Sequence, residues 1–522
     1  MLASILDKLV CMKESRNLAR IVTSRKLSLL PLLDFDAGEK MKENKLVTAL
    51  AEGHESTRAQ LVRTIYGKGS ASTEASFRKL HSRVTAKLLN HLYFLDNSDQ
   101  RHLVSRRYEL ECLSLLHKAV ILSNESEYIL STRLLSKCLE LAQRDGFTRY
   151  AIHAASLLRL LYAQQQKGPD YRAISKTLRE LQDMRACEEE ADDIYSNVQL
   201  AMAGTVKMRR VLLPMIPEYV AKLEVLHRKA KSFNTNNYLY QTRLAQQELT
   251  GNYAEIINIT AEAAKQLKAG KLNPRRFDVR FNHFMSVYAH LLSRQAEKGL
   301  KLAAAYDKDF HPSSGNWFYF QEHYLLLALH AGDYVQARQV LQTATGNASF
   351  GKQRAAAQQR WELFRAYVDF VQPPARPTPV RRQQMEQWAL TIPEYSRDKR
   401  GHNVAILVMQ VLYFLRQRDL DAVLLRADRL RKYQQRHLRE AANLRTRLFL
   451  RLLLLIVDQE FDPARNARQA AVLLKQLEAA PPPGEAFAEV EIIPYETLWQ
   501  LALQELRTGL PMPSAPGLAD AK

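Results

Sequence analysis

The chain has 522 residues, a net charge of +20 and 46% apolar residues. A chain of this length exceeds the roughly 250–300 residues that one compact core can serve, so it must divide into domains or extend as a repeat. Gly and Pro number only 18 and 19, helix-favouring residues dominate, and no stretch shows sustained period-two alternation of β-branched residues. These features predict an all-α fold and argue against a sheet.

The cysteine spacing and the hydropathy of the chain bear on where in the cell the protein is expected. The four cysteines are too scattered for a C-x-x-C pair or a dense disulfide framework. They are Cys11, Cys112, Cys138 and Cys187. Asp7 and Lys8 interrupt the apolar part of the N-terminus, which therefore makes a poor signal peptide. The most apolar run, 448–457, contains Arg451 and is shorter than the ~20 residues that span a bilayer. We expect a cytoplasmic protein with no membrane association.

Residues 1–97 predict a small N-terminal helical domain. Its helical segments are 43–52, 56–66 and 73–95. The sequence from 56 to 89 resembles the helix-turn-helix core of winged-helix regulators, with 73–95 in the recognition position. That resemblance implies DNA contacts by Arg78, Lys79, Arg83 and Lys87. The turn at 67–72 is Gly-rich and no β-hairpin wing follows before Arg101, so a bundle that only caps the following repeats is the alternative.

A helical hairpin is predicted from Trp317 to Leu341. Apolar residues recur along one side of its first helix, Gly332 can end that helix with a positive φ, and Asp333 can cap the next. Ala337 is small enough to let two antiparallel helices approach closely. These residues resemble a tetratricopeptide repeat, whose inter-helix turn commonly reads Gly-Asp-Tyr followed by a buried alanine. The resemblance implies stacked helix pairs with a concave binding surface.

Similar turns recur along the chain at a regular spacing. Gly168 to Gly251 is 83 residues, Gly251 to Gly332 is 81, and Gly332 to Arg418 is 86, with weaker turn candidates between them. The spacing predicts an α-solenoid of antiparallel hairpins about 40–43 residues long, more than the ~34 of a regular tetratricopeptide repeat. The predicted divisions are tetratricopeptide-like repeats over 98–372, basic C-terminal repeats over 380–508 and a disordered tail over 509–522.

No pattern of catalytic or ligand-binding residues emerges. The chain lacks a Walker A loop, an H-E-x-x-H helix and a G-x-S-x-G elbow. Two helices are predicted at 170–185 and 188–207, and the acids at 188–193 fit the favourable first turn of the second. The histidines at 283 and 290, and at 323 and 330, have no ligand partner at suitable spacing. We therefore expect no catalytic, cofactor or metal site.

The C-terminal half is strongly basic. From Lys352 to Arg451 there are 18 Arg and 3 Lys against 9 acidic residues, a balance of +12. The candidate partner-binding residues are Arg426, Arg429, Arg436, Arg439 and Arg447. The alternative is a set of solvated helix faces.

The expected function is a non-catalytic scaffold or adaptor for a protein or peptide partner, expected to be acidic, with nucleic acid also possible. The second hypothesis is a DNA-binding regulator with a tetratricopeptide-like sensor or dimerisation body.

Overall fold

The computed structural model describes residues 15–24, 31–36, 41–51, 57–67, 71–95, 104–373, 402–438, 443–480 and 491–507. Every regular element within these ranges is a helix and none is a β-strand, so the all-α prediction is confirmed. None of the helices in these ranges is both long and apolar enough to cross a bilayer. The chain forms two compact units, residues 1–178 and 179–522. The expected tail at 509–522 lies outside the described residues.

The first unit begins with a small helical bundle. A first helix, α1 (residues 15–24), contacts Glu127 through Asn17 and Arg20. The helices of the bundle are α2 (Lys42–Ala51), α3 (Arg58–Tyr66) and α4 (Ala71–His91), and a 3-10 turn (Leu92–Phe94) follows. Thr57 starts α3 with a capping box. Its hydroxyl oxygen accepts a hydrogen bond from the backbone N–H of Gln60, and the side-chain oxygen of Gln60 accepts one from the backbone N–H of Thr57. The apolar faces of α2, α3 and α4 close one core around Leu46, Val62 and Leu80.

Consecutive antiparallel helices follow in the same unit. They are α5 (Val104–Asn124), α6 (Tyr128–Asp145) and α7 (Thr148–Gln164), and α8 (Gly168–Ala203) begins next. Helix α6 packs against both α5 and α7. Ser126, Gly146 and Gln166 have positive φ in the three turns. The α5–α6 hairpin also brings two distant cysteines together: the Cys138 thiol donates to the carbonyl oxygen of Cys112 at 3.6 Å.

The second unit continues the same pattern, in which each helix packs mainly against its neighbours in the chain. After α8 come α9 (Val206–Leu212), α10 (Ile216–Ala230), α11 (Phe233–Thr250), α12 (Tyr253–Lys268), α13 (Val279–Leu292), α14 (Ala296–Tyr306), α15 (Gly315–His330), α16 (Tyr334–Thr345) and α17 (Ala355–Val371). The last are α18 (His402–Gln417), α19 (Leu420–His437), α20 (Leu444–Asp458), α21 (Pro463–Ala479) and α22 (Tyr495–Arg507). One buried core runs from Val287 to Leu506. The predicted divisions at 97, 372 and 380 stay predictions.

The predicted hairpin at 317–341 is present as α15 and α16. Gly332 has a φ of +75°, and the Asp333 side chain accepts from the backbone N–H of Gln336 at 2.9 Å. Ala337 is fully buried on α16, which packs against α15. In the hairpins α11–α12, α13–α14 and α15–α16 the turn contains a positive-φ residue, at Gly251, Arg294 and Gly332, which are separated by 43 and 38 residues. The sequential packing of these hairpins agrees with the predicted solenoid.

The prediction of two helices between 170 and 207 is wrong. Helix α8 is continuous from Gly168 to Ala203. No Gly or Pro stands at the expected break, and Arg185 bridges it by ion pairs to Glu188 at 3.7 Å and Glu189 at 2.9 Å. The acids at 188–193 therefore lie within a helix rather than in its first turn, so the macrodipole does not account for them.

Candidate functional site

A groove of about 320 Å³ lies along one side of the α11–α12 hairpin. Helix α11 lines it with residues of one face: Phe233, Asn236, Asn237, Tyr240 and Arg243. Helix α12 lines the opposite wall with Glu255, Asn258, Ile259, Glu262 and Gln266. Three- and four-residue spacing on each helix places these side chains in two parallel rows. Leu272 and Phe277, from the segment after α12, close the floor.

Local sequence signals set the two walls. Ser232 caps α11 by accepting from the backbone N–H of Thr235 at 3.2 Å. Gly251 ends α11 with a φ of +77°, a conformation that costs glycine little, and α12 then returns antiparallel. Leu239 and Leu244 are buried on α11, as Ile256 is on α12. Because these apolar faces hold the hairpin in place, the polar rows lie along a fixed cleft.

Tyr240 is locked in the groove wall. Its ring packs edge-to-face on Phe277, with centroids 5.7 Å apart, and its hydroxyl donates to Oδ1 of Asn282 at 2.8 Å. Asn282 is buried and donates in turn to the carbonyl oxygen of Thr260 at 3.3 Å. Burial, and then the charge of Asp278, raise the pKa of Tyr240. The phenol therefore stays protonated and keeps this orientation.

Phe233 forms the other aromatic wall. The guanidinium of Arg276 lies 4.6 Å above the centre of the Phe233 ring and donates to Oδ1 of Asn234 at 2.7 Å. A cation over an aromatic face is attractive, and the hydrogen bond fixes its position. The rings of Phe233 and Tyr240 are thus held by neighbours rather than free to close the groove.

Two adjacent asparagines give the groove its unused hydrogen-bonding capacity. Asn236 and Asn237 are half-buried, and neither side-chain amide makes a hydrogen bond within the described residues. Other polar groups in the groove have partners. Glu255 accepts from Asn258 at 3.0 Å, and Glu262 accepts from Gln266 at 3.0 Å.

Each asparagine amide presents a carbonyl acceptor and two N–H donors. The pair therefore offers donors and acceptors side by side. Sequence analysis missed both residues. A signal was present, because three asparagines within Asn234–Asn237 are unusual inside a helix.

The five candidate arginines do not share one environment. Arg426 is buried with its guanidinium 5.1 Å over the Phe414 ring, and burial, followed by the charge of Arg429, lowers its pKa. Arg429 and Arg447 are half-buried, and Nη1 of Arg429 has no hydrogen-bond partner in the part of the chain described. Arg436 is exposed. Arg439 lies outside the described residues.

The four candidate DNA-contacting residues divide into two pairs. Arg78 and Lys79 are exposed on α4. Arg83 and Lys87 both contact the buried Glu43 of α2, at 2.5 and 2.8 Å. Burial raises the pKa of Glu43, but the hydrogen bonds from Lys87 and Arg83 outweigh it and leave that pKa below its ordinary value. Arg83 and Lys87 thus hold the bundle together as well as contributing charge.

The histidines that recur seven residues apart are packed among aromatic residues and backbone. His283 stacks on Tyr306 with centroids 3.6 Å apart, and its Nδ1 bonds Oδ2 of Asp309 at 2.9 Å. His323 lies against Phe284, and Nε2 of His330 bonds the carbonyl oxygen of Glu491 at 2.7 Å. Among the described residues, no three His, Cys, Asp or Glu side chains come together in a way that could hold a metal ion.

Comparisons of the chain with protein-family models, with curated proteins and with solved structures each find no match. Function must therefore be argued from the chain's own geometry.

Proposed function

We propose that this protein is a non-catalytic helical-repeat scaffold that holds an extended peptide segment of a partner in the α11–α12 groove. The observation that carries the proposal is the half-buried amide pair of Asn236 and Asn237, which has no side-chain hydrogen bond in the described chain. An extended peptide has backbone N–H and C=O groups free along its edges. The side-chain amide of one asparagine can donate to a backbone C=O and accept from a backbone N–H at the same time. Two such amides in succession therefore suit the edge of an extended peptide.

The rest of the groove fits side chains of such a peptide. Tyr240, Ile259 and Phe277 provide apolar contact area. Tyr240 is already fixed by its bond to Asn282, so little side-chain entropy is lost on binding. Peptide pockets commonly combine apolar walls with a few placed polar groups. This combination supports a peptide over a small charged metabolite, which would need a stronger uncompensated charge.

Charge on the C-terminal helices supports an acidic partner. Arg436 on α19 and Arg451 on α20 are exposed, and neither forms an ion pair within the ranges the structure describes. Unpaired arginines attract carboxylates and bind them in bidentate geometry. The partner is thus proposed to carry acidic residues outside the segment that enters the groove. The partner-binding roles of the five candidate arginines stay predictions, and burial of Arg426 makes it the weakest of them.

The DNA-binding alternative has less support. Two of its four residues, Arg83 and Lys87, are bonded to Glu43. Within the described residues no β-strand follows α4 to form a wing. Arg78 and Lys79 remain available for phosphate contacts, so the alternative rests on these two.

The proposal is tested by panning a random linear peptide library against the full chain and measuring the selected peptides by calorimetry. We expect Asn237→Ala and Asn236→Ala each to weaken the selected peptides about tenfold, because each amide supplies hydrogen bonds worth roughly 1–1.5 kcal/mol. Asn197→Ala is the matched control, since Asn197 is exposed on α8 outside the groove. Failure to select any peptide, or equal affinity for all three variants and the parent chain, rejects the groove as the binding site.

A further inference from the structure

Four consecutive apolar side chains are exposed at the end of α4. Leu92, Tyr93, Phe94 and Leu95 retain between 56% and 79% of their accessible surface. Soluble monomers rarely expose contiguous apolar patches beyond a few hundred Å² without a binding role. Two aromatic rings and two leucines in succession approach that size by themselves.

Helix α5 extends this surface. Leu110, Leu113 and Ile121 are each 43–45% exposed and recur with His117 at spacings of three and four residues. Such spacing places them in one stripe along the helix, about 16 Å long at 1.5 Å per residue. The Tyr93 ring stacks on the His117 ring with centroids 6.5 Å apart, so the turn and the stripe are continuous. We name the combined surface, Leu92–Leu95 with Leu110, Leu113, His117 and Ile121, the α5 face.

Cations without acidic partners border the α5 face. Arg106 and Arg107 lie at its N-terminal end and Lys118 lies along its flank; all three are exposed, and none forms an ion pair in the described chain. The nearby acids are engaged within the unit. Glu109 accepts from the Tyr150 hydroxyl at 3.0 Å, and Glu111 lies 3.8 Å from Nζ of Lys137.

Glu127, beyond the end of α5, is also engaged. It accepts from Nδ2 of Asn17 at 2.9 Å and lies 3.7 Å from a guanidinium nitrogen of Arg20. Among the described residues, the α5 face therefore combines an apolar stripe with cations that have no acidic partner.

We propose that the α5 face binds an amphipathic helix of a partner protein, with apolar residues at three- and four-residue spacing and Asp or Glu on its flanks. A stripe with this spacing is what a second helix packs against. Acidic flanks would meet Arg106, Arg107 and Lys118. A second copy of this chain would instead bring the same unpaired cations to the contact, which disfavours self-association. This surface belongs to the first unit and does not depend on the α11–α12 groove.

The test uses fluorescence anisotropy with the full chain and two synthetic helical peptides. Both carry Leu at three- and four-residue spacing, one flanked by Glu and the other by Lys. We expect the Glu-flanked peptide to bind at least tenfold more tightly, and added salt to reduce the difference. Leu113→Glu should weaken the Glu-flanked peptide at least tenfold. The matched control, Leu160→Glu, replaces an exposed leucine of α7 in the same unit and should leave binding unchanged.

Charge reversal separates this contact from nonspecific attraction to a basic protein. Arg106→Glu with Arg107→Glu should invert the preference, so that the Lys-flanked peptide binds more tightly. Circular dichroism confirms that each variant keeps its helical content. The proposal is overturned if the Glu-flanked peptide does not bind, if the two peptides bind equally, or if Leu113→Glu has no effect. Sedimentation that shows a dimer converted to monomer by Leu113→Glu would assign the α5 face to a second copy instead.

Discussion

Replacing Arg445 tests how the arginine-rich helix α20 is built into the fold. Although it lies in the basic region, Arg445 is only 3% exposed. Its guanidinium donates to Glu491 at 2.8 and 2.7 Å, to Glu496 at 2.9 and 2.6 Å, and to the carbonyl oxygen of Leu477 at 2.7 Å. Burial lowers the pKa of Arg445, but the bonds to Glu491 and Glu496 outweigh it and raise that pKa.

The size of the effect follows from what the substitution leaves behind. Arg445→Met keeps the volume but leaves two carboxylates, whose side chains are 18% and 26% exposed, facing each other without their cation. Removing one partner of a buried ion pair costs roughly 3–5 kcal/mol. Partial exposure of both glutamates lets water screen some of the repulsion, so we expect a loss near 3 kcal/mol in the free energy of unfolding.

Tryptophan emission during urea unfolding measures this loss. The buried Trp317, Trp361 and Trp499 all belong to the core that contains α20. Arg451→Met is the matched control, because Arg451 is exposed on the same helix and should change stability by less than about 0.5 kcal/mol. Adding Glu491→Gln and Glu496→Gln to Arg445→Met should recover more than half of the loss, since no buried charge then lacks a partner. A single variant as stable as the parent would refute the reasoning.

The remaining predictions concern protonation, packing and DNA. Burial lowers the pKa of His323, His330 and His283, in the last case despite the nearby Asp309. As the pH falls, these histidines therefore take up protons in the unfolded chain before they do so in the folded one. The contribution of these histidines to stability should be full above about pH 6.5, the ordinary histidine pKa, and should fall as the pH drops below it, and His323→Leu should reduce that slope in urea titrations. A Cβ on Gly299 would lie 2.6 Å from Cδ2 of Leu327 and 2.8 Å from Cβ of His290. Gly299→Ala should thus cost about 1–3 kcal/mol, whereas Gly315→Ala, with no atom within 4 Å, should be neutral in the same urea assay. In gel shifts at low salt, Arg78→Ala with Lys79→Ala should change the affinity of this basic chain for duplex DNA less than twofold; a tenfold loss would favour the regulator hypothesis.

Local signals predict the hairpin of α15 and α16 because the turn chemistry is local. Gly332, Asp333 and Ala337 each act within one hairpin, so their roles are visible in a few residues of sequence. The break expected near 186 failed for a similar reason. No Gly or Pro is present there, and the ion pairs of Arg185 favour a continuous helix. The acids at 188–193 suit a helix start by composition, but they suit a helix interior equally once Arg185 pairs with two of them.

Long-range partners escaped sequence analysis. Arg445 resembles any other arginine of the basic region until Glu491 and Glu496, 46 and 51 residues away, fold against it. In the sequence Arg83 and Lys87 likewise resemble any other exposed cations, and only the fold brings Glu43 against them. The groove exists only because α11 and α12 pack side by side, and the residues of either helix alone do not indicate its shape. Only the asparagines at 234–237 marked it in the sequence.

The most direct test of the scaffold account is hydrogen–deuterium exchange of the full chain with and without a peptide selected by panning. The account predicts that the peptide slows exchange in α11 and α12, residues 233–268, because it bridges the two walls of the groove. The same peptide should leave exchange in α11 and α12 of the Asn236→Ala/Asn237→Ala chain unchanged. Slowed exchange confined to other helices, or equal protection in that variant, would contradict the account.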